Sequence, residues 1–182
     1  MTTPARSVLL FLALAGALTG CEKAPSAGAG KAPAVATSGV PLPPQLFLAS
    51  APADVREIKA AKQGAKVGDT ITLRGRIGGS EDPFVGGRAI FTMVDTGMPA
   101  CADNPEDKCK TPWDYCCETT EDVAAALATV QLVGADGAVL KTDVKGKQGL
   151  SPLARIVVVG KVAQADDRGV LVVNASGIFV EH

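Results

Sequence analysis

From Thr70 to Val180 the chain runs as short apolar segments separated by turn residues, and this punctuation limits the fold more than any other feature. Thr70 to Ile77 alternates, with Ile71, Leu73 and Ile77 on one side and Thr72, Arg74 and Arg76 on the other, the period of a half-buried strand. Gly75 falls on the apolar side, where a bend or a close neighbouring strand is expected. Arg88 to Val94 reads as a second strand, entered from Gly86-Gly87 and ended by Asp95-Thr96-Gly97. Thr129 to Val133 is a third, and Ala135-Asp136-Gly137 predicts a hairpin into Val139 to Val144. Ile156 to Val162 is apolar and β-branched, as buried strands are. Asp166-Asp167-Arg168-Gly169 turns it into Val170 to Val180, with Gly177 expected at a bulge or bend.

Helix is scarce. Ala53 to Gly64 has roughly helical spacing at Val55, Ile58 and Ala61, with Gly64 as its stop. Thr119 or Thr120 is placed to cap a second short helix through Ala126, with Glu121 and Asp122 favourably sited in its first turn. Five to six short strands with so little helix predict a mainly β fold, a small closed Greek-key barrel.

One stretch breaks the pattern between strands two and three. Residues 96–120 contain Cys101, Cys109, Cys116 and Cys117, the only Trp (Trp113) and the only Tyr (Tyr115). Four cysteines allow three pairings. Adjacent Cys116 and Cys117 have Cα atoms about 3.8 Å apart, short of the roughly 4.4 Å that a disulfide needs. Two disulfides are therefore expected, joining Cys101 and Cys109 to the adjacent pair in an order left open. A four-cysteine metal site is the rival, although zinc sites favour two Cys-x2–4-Cys pairs and the spacing here is Cys-x7-Cys-x6-Cys-Cys. A redox pair is the third option, weakened by the lack of Cys-x-x-Cys.

The amino-terminal region bears on compartment. Arg6, the apolar run Val8 to Leu18 and a closing Leu18-Thr19-Gly20-Cys21 have the form of a secretory signal, with a core too short for the about 20 residues of a membrane span. The closing tetrapeptide resembles the bacterial lipobox. That resemblance implies a signal peptide over 1–20, lipidation at Cys21 and an extracytoplasmic protein held to a bacterial membrane, on its periplasmic side or at the cell surface. Residues 21–51, rich in Pro, Ala and Gly, are expected to be a disordered tether. Leu42, Leu46, Phe47 and Leu48 are the exception, an apolar group able to dock on the domain. The domain is placed at 52–182. In an exported protein, disulfides persist.

Ile71-Thr72-Leu73-Arg74-Gly75-Arg76-Ile77 followed by Phe91-Thr92-Met93-Val94-Asp95 resembles the opening of the anticodon-binding type of OB-fold. Ile156 to Val162 and its hairpin into Val170-Leu171-Val172-Val173 resemble the last two strands. The whole layout is similar to exported bacterial lipoproteins with a single OB-fold domain. Residues 96–120 are an insertion that anticodon-binding domains lack.

The resemblance implies nucleic-acid binding through Arg74, Arg76 and Arg88 on the first two strands. Charge opposes it: removal of the signal takes away Arg6 and moves the formal net charge from −1 to −2. From Asp95 to Asp122 eight acids face only Lys108 and Lys110. No Ser/His/Asp set, histidine cluster or phosphate-cradling glycine loop is present, and His182 is both the only histidine and the last residue. The expectation is a binding or interaction module rather than an enzyme, with no catalytic residue, cofactor or metal assigned. Trp113 and Tyr115 are its candidate contacts for an envelope protein or small ligand. The alternative is a metal-handling or thiol-redox envelope protein.

Overall fold

The computed structural model describes residues 41–182. The expected signal, Cys21 and most of the tether lie outside them. Among the described residues no helix is long and apolar enough to cross a membrane.

Six strands form: β1 (Arg56–Glu57), β2 (Thr70–Ile77), β3 (Ile90–Val94), β4 (Leu127–Leu132), β5 (Arg155–Ala165) and β6 (Leu171–Val180). Their order is β1-β2-β3-β4-β6-β5, and β5 pairs back onto β2. Strands β2 to β6 thus close a five-stranded barrel consistent with an OB-fold-like domain, and β1 is an extra strand parallel to β2. The β4–β6 pairing is parallel, whereas the barrel's other pairings are antiparallel.

Alternation fills the barrel. Phe91 opposes Val130, and Val130 opposes Val173, so one row of fully buried side chains crosses three strands. Leu73 opposes Val158 across the closing seam, and both are also fully buried. The long strand β5 serves two partners by bending. Its register with β6 shifts between Val159 and Gly160, opposite Gly177 and Ala175, which is where the sequence placed a bulge. A side chain at Gly160 would run into the Asn174 carbonyl, so the close approach of the strands requires glycine there.

Two local expectations are corrected, and a third, left open by the sequence, is resolved. The helix forecast over Ala53 to Gly64 is reduced to α1 (Ile58–Lys62), because Arg56 and Glu57 pair with Leu73 and Arg74 of β2 instead. Val139 to Val144 forms no strand and makes only a bridge from Val139 to Val133. Its carbonyls and side chains go elsewhere: Leu140 O accepts from Ala89 N, and Val144 joins Leu150 in closing the core. Finally, the apolar group within the expected tether docks. Leu46 is 8% exposed, and Leu48 N donates to Ile178 O at 2.8 Å.

Candidate functional site

The insertion between β3 and β4 leaves the barrel at a buried carboxylate. Asp95 Oδ2 accepts the backbone N–H of Lys59 in α1 at 2.9 Å, and its Oδ1 accepts Gly97 N at 3.0 Å. Thr96 donates its hydroxyl to Glu57 Oε2 at 2.8 Å. Burying a carboxylate is costly unless its oxygens are hydrogen-bonded, and these bonds fix the start of the loop against α1. The chain returns through α2 (Thr120–Ala126), capped by Thr119, whose Oγ1 accepts Asp122 N at 3.1 Å. Lys62 Nζ of α1 then ties α2 to the turn between β5 and β6 by donating to Ala124 O at 2.7 Å and to Gly169 O at 2.6 Å.

Between these ends the insertion builds a second, small core. Val94, Met98, Ala100, Tyr115 and Ala126 are buried together, flanked by Val123, Leu127 and Leu153. Tyr115 is 1% exposed. Its ring packs this core, and its hydroxyl is buried without a hydrogen-bond partner among the described residues. Burial pushes its phenol upward in pKa, against the positive field of Arg76.

Arg76 departs from its expected outward position as well. It is 6% exposed because the insertion covers that end of β2. Its Nη1 donates to Asp103 Oδ2 at 2.7 Å, and the same oxygen accepts Ala100 N at 2.8 Å. The Arg76 guanidinium holds the Asp103 carboxyl below the usual range, aided by the Ala100 N–H and opposed by partial burial. Arg74 is half-exposed and pairs with Glu181 at 2.9 Å. Arg88 lies exposed in the turn before β3. Phe91 is core, and Phe84 packs on it with centroids 5.9 Å apart. The three arginines are thus separated in role, and Phe84 and Phe91 stack on each other rather than offering platforms for bases.

Trp113 is half-buried and pins the insertion to the β2–β3 loop. Its Nε1 donates to Glu81 O at 2.9 Å, and its carbonyl accepts Gly79 N at 2.8 Å. A side chain at Gly78 would strike that carbonyl, so glycine is required where the two loops cross.

The four cysteines come together beside this second core. Cys101 Sγ lies 3.7 Å from Cys116 Sγ and 4.0 Å from Cys117 Sγ, while Cys109 Sγ lies 3.6 Å from Cys116 Sγ. All four are thiols in the structure, so neither of the two expected disulfides is formed. Cys101 is buried in a 3-10 turn (Cys101–Asp103), Cys109 is half-buried, and Cys116 and Cys117 are exposed. Tyr115, at φ 60°, reverses the chain so that both of the cysteines that follow it reach Cys101. Positive φ on a bulky residue costs about 1–3 kcal/mol, which the burial of its ring offsets.

Carboxylates organise the same loop. Asp107 Oδ1 accepts Cys109 N at 2.9 Å, and Asp114 Oδ1 accepts Cys116 N at 3.0 Å. Asp114 Oδ2 accepts the Thr111 hydroxyl at 2.7 Å. Burial pushes the Asp114 carboxyl up, but these donors outweigh it and hold it below the usual range. Burial raises the Cys101 thiol, opposed by its hydrogen bond with Cys116, and hydrogen bonds with Cys109 and Cys101 raise that of Cys116, which keeps its proton as the donor. The ligand atoms of Cys101, Cys109, Cys116 and Asp114 lie within 4.8 Å of one another, as do those of Cys101, Asp107 and Cys117. Asp103, Asp107 and Asp114 entered the sequence reading only as part of an acidic surplus, and Asp95 also as the end of the second strand. Three of them, Asp95, Asp107 and Asp114, stand two residues before the N–H groups of Gly97, Cys109 and Cys116, and that spacing is the signal of a turn-forming acceptor.

Comparison of the chain with known protein families, with characterised proteins and with solved structures finds no match in any of the three.

Proposed function

We propose that the chain is a lipid-anchored extracytoplasmic binding module in which the barrel is the scaffold and residues 96–120 are the recognising element. The observation that carries this reading is the insertion's own buried core, locked to the barrel by Arg76–Asp103 and by Asp95. A loop with that support is displayed rigidly, which lowers the ordering cost of binding. It concentrates the unusual chemistry of the chain at one place: thiols, carboxylates and Trp113. Beside it lies an open hollow of about 430 Å³, lined by Tyr115, Cys116, Glu118, Val123 and Leu127 among others. The anchor reading is supported by Leu18-Thr19-Gly20-Cys21 and the Pro/Ala/Gly-rich segment after it. An envelope protein or small ligand is the partner class; the dispersed arginines disfavour nucleic acid.

Fatty-acid labelling of the chain made in a bacterial host tests the anchor. Wild type takes up label and sediments with membranes, and Cys21→Ala does neither. An unlabelled wild-type chain contradicts it. For recognition, Trp113→Ala with the barrel intact loses the envelope component retained by wild type; unchanged retention removes Trp113 from the contact.

A further inference from the structure

The sulfur arrangement branches. Cys101 and Cys116 each face two other sulfurs, at 3.7 and 4.0 Å and at 3.7 and 3.6 Å. A disulfide gives each sulfur one partner, at about 2.05 Å. Four thiolates around zinc, with Zn–S about 2.3 Å, stand at the corners of a tetrahedron whose edges are about 3.8 Å. Three of the six edges such a tetrahedron would have, at 3.6, 3.7 and 4.0 Å, straddle that length.

We propose that Cys101, Cys109, Cys116 and Cys117 hold one zinc-class divalent ion in a closed tetrathiolate site. The ion, rather than sulfur–sulfur bonds, then closes the insertion. This names the ligand of the element identified above and rests on that reading.

The donor set decides the ion. Thiolates select soft or borderline metals and reject calcium and magnesium, which take oxygen ligands. Four sulfurs leave no open coordination position, so the site is structural rather than catalytic. The carboxylates have other work. Asp114 uses both oxygens on Thr111 and Cys116 N, and Asp107 Oδ1 is taken by Cys109 N while its Oδ2 lies 3.8 Å from Cys117 Sγ. They orient the backbone that carries the sulfurs, the outer-shell task that metal sites need. Cys117 faces Cys101 at 4.0 Å but is grouped with Cys101 and Asp107 rather than with Cys109, so this exposed side chain swings toward Cys109 and Cys116 to complete the set when the ion binds. The ligands also come from three parts of a loop with little regular structure: the 3-10 turn, the segment at Cys109 and the reversal at Tyr115. One ion joins all three.

The test uses the full chain, extracted from bacterial membranes in detergent under air. Zinc per chain is measured, and thiols are counted after denaturation in chelator. The expected result is one zinc and four thiols, since acylation consumes the Cys21 sulfur. Exchange for cobalt(II) is expected to give the visible bands of tetrahedral thiolate coordination. Cys101→Ser and Cys116→Ser lose the metal, and Asp114→Asn keeps it. Should the serine variants misfold, the cobalt spectrum of wild type still decides. Absence of zinc with no free thiols overturns the proposal in favour of disulfides, and a cobalt spectrum of oxygen coordination overturns it too. The two readings fail differently. Zinc with five thiols and no membrane association contradicts the anchor alone; membrane association without zinc contradicts the site alone.

Discussion

The barrel and the insertion solve the same problem in opposite ways. In the barrel, backbone groups pair strand to strand around a closed ring, and every strand contributes to one apolar core. In the insertion, regular structure is limited to a 3-10 turn and α2, and the buried cluster is small. Its order comes from side chains: Asp95, Asp103, Asp107 and Asp114 accept backbone N–H groups that strands would otherwise satisfy. The barrel's strands satisfy one another's backbone, whereas the insertion leans on the barrel through Arg76, Asp95 and Val94. A small core of this kind ordinarily needs a staple or a metal.

The most damaging way to break the comparison is to strike the shared foundation. Phe91→Ala empties the row shared with Val130 and Val173, and is expected to cost about 3–5 kcal/mol, lowering the urea midpoint of both regions together. Arg76→Ala strikes the seam. Removing a buried partner costs about 3–5 kcal/mol in full burial. Because Asp103 is 46% exposed and stays solvated, the expected loss is nearer about 2 kcal/mol. It is expected to loosen the insertion first, read as a red shift of Trp113 emission below the barrel's own melting. A single transition with no prior shift would show the seam to be unnecessary.

These two predictions also mark how far sequence alone reaches. The strands were legible because alternation, β-branching and glycine-rich turns agree, from Ile71-Leu73 through Gly177. The short helix was legible from two threonines ahead of Glu121 and Asp122, although which threonine caps it, Thr119, is set by the structure. Arg76 was not, because alternation reports which face of a strand a residue occupies and not whether a loop later covers that face. The burial of Tyr115 was missed because it sits in a loop, and the small core that the loop folds around leaves no periodic trace. Val139 to Val144 had a strand's composition, but the barrel was already closed by β2–β5 pairing and had no edge left for it. The convergence of the cysteines was not legible from their spacing, since the sulfurs come together through a reversal at Tyr115 that spacing does not encode.

Smaller effects sharpen the contrast. Thr119→Ala removes the cap where the insertion rejoins the barrel and is expected to cost about 1 kcal/mol, with amides of α2 exchanging faster and those of β4 unchanged. Arg74→Ala breaks a half-exposed pair with Glu181 and is expected to shift stability by less than about 1 kcal/mol, with the shift shrinking as salt rises. A salt-independent loss would mean that Arg74 acts through packing.

The barrel is proposed to be self-sufficient and the insertion to be held by a metal ion. Hydrogen exchange of the full zinc-loaded chain, followed before and after chelation under reducing conditions, tests this most directly. The account expects protection across β2 to β6 to persist while amides of residues 96–120 lose theirs. Protection unchanged in both regions, or lost from both at once, would contradict it.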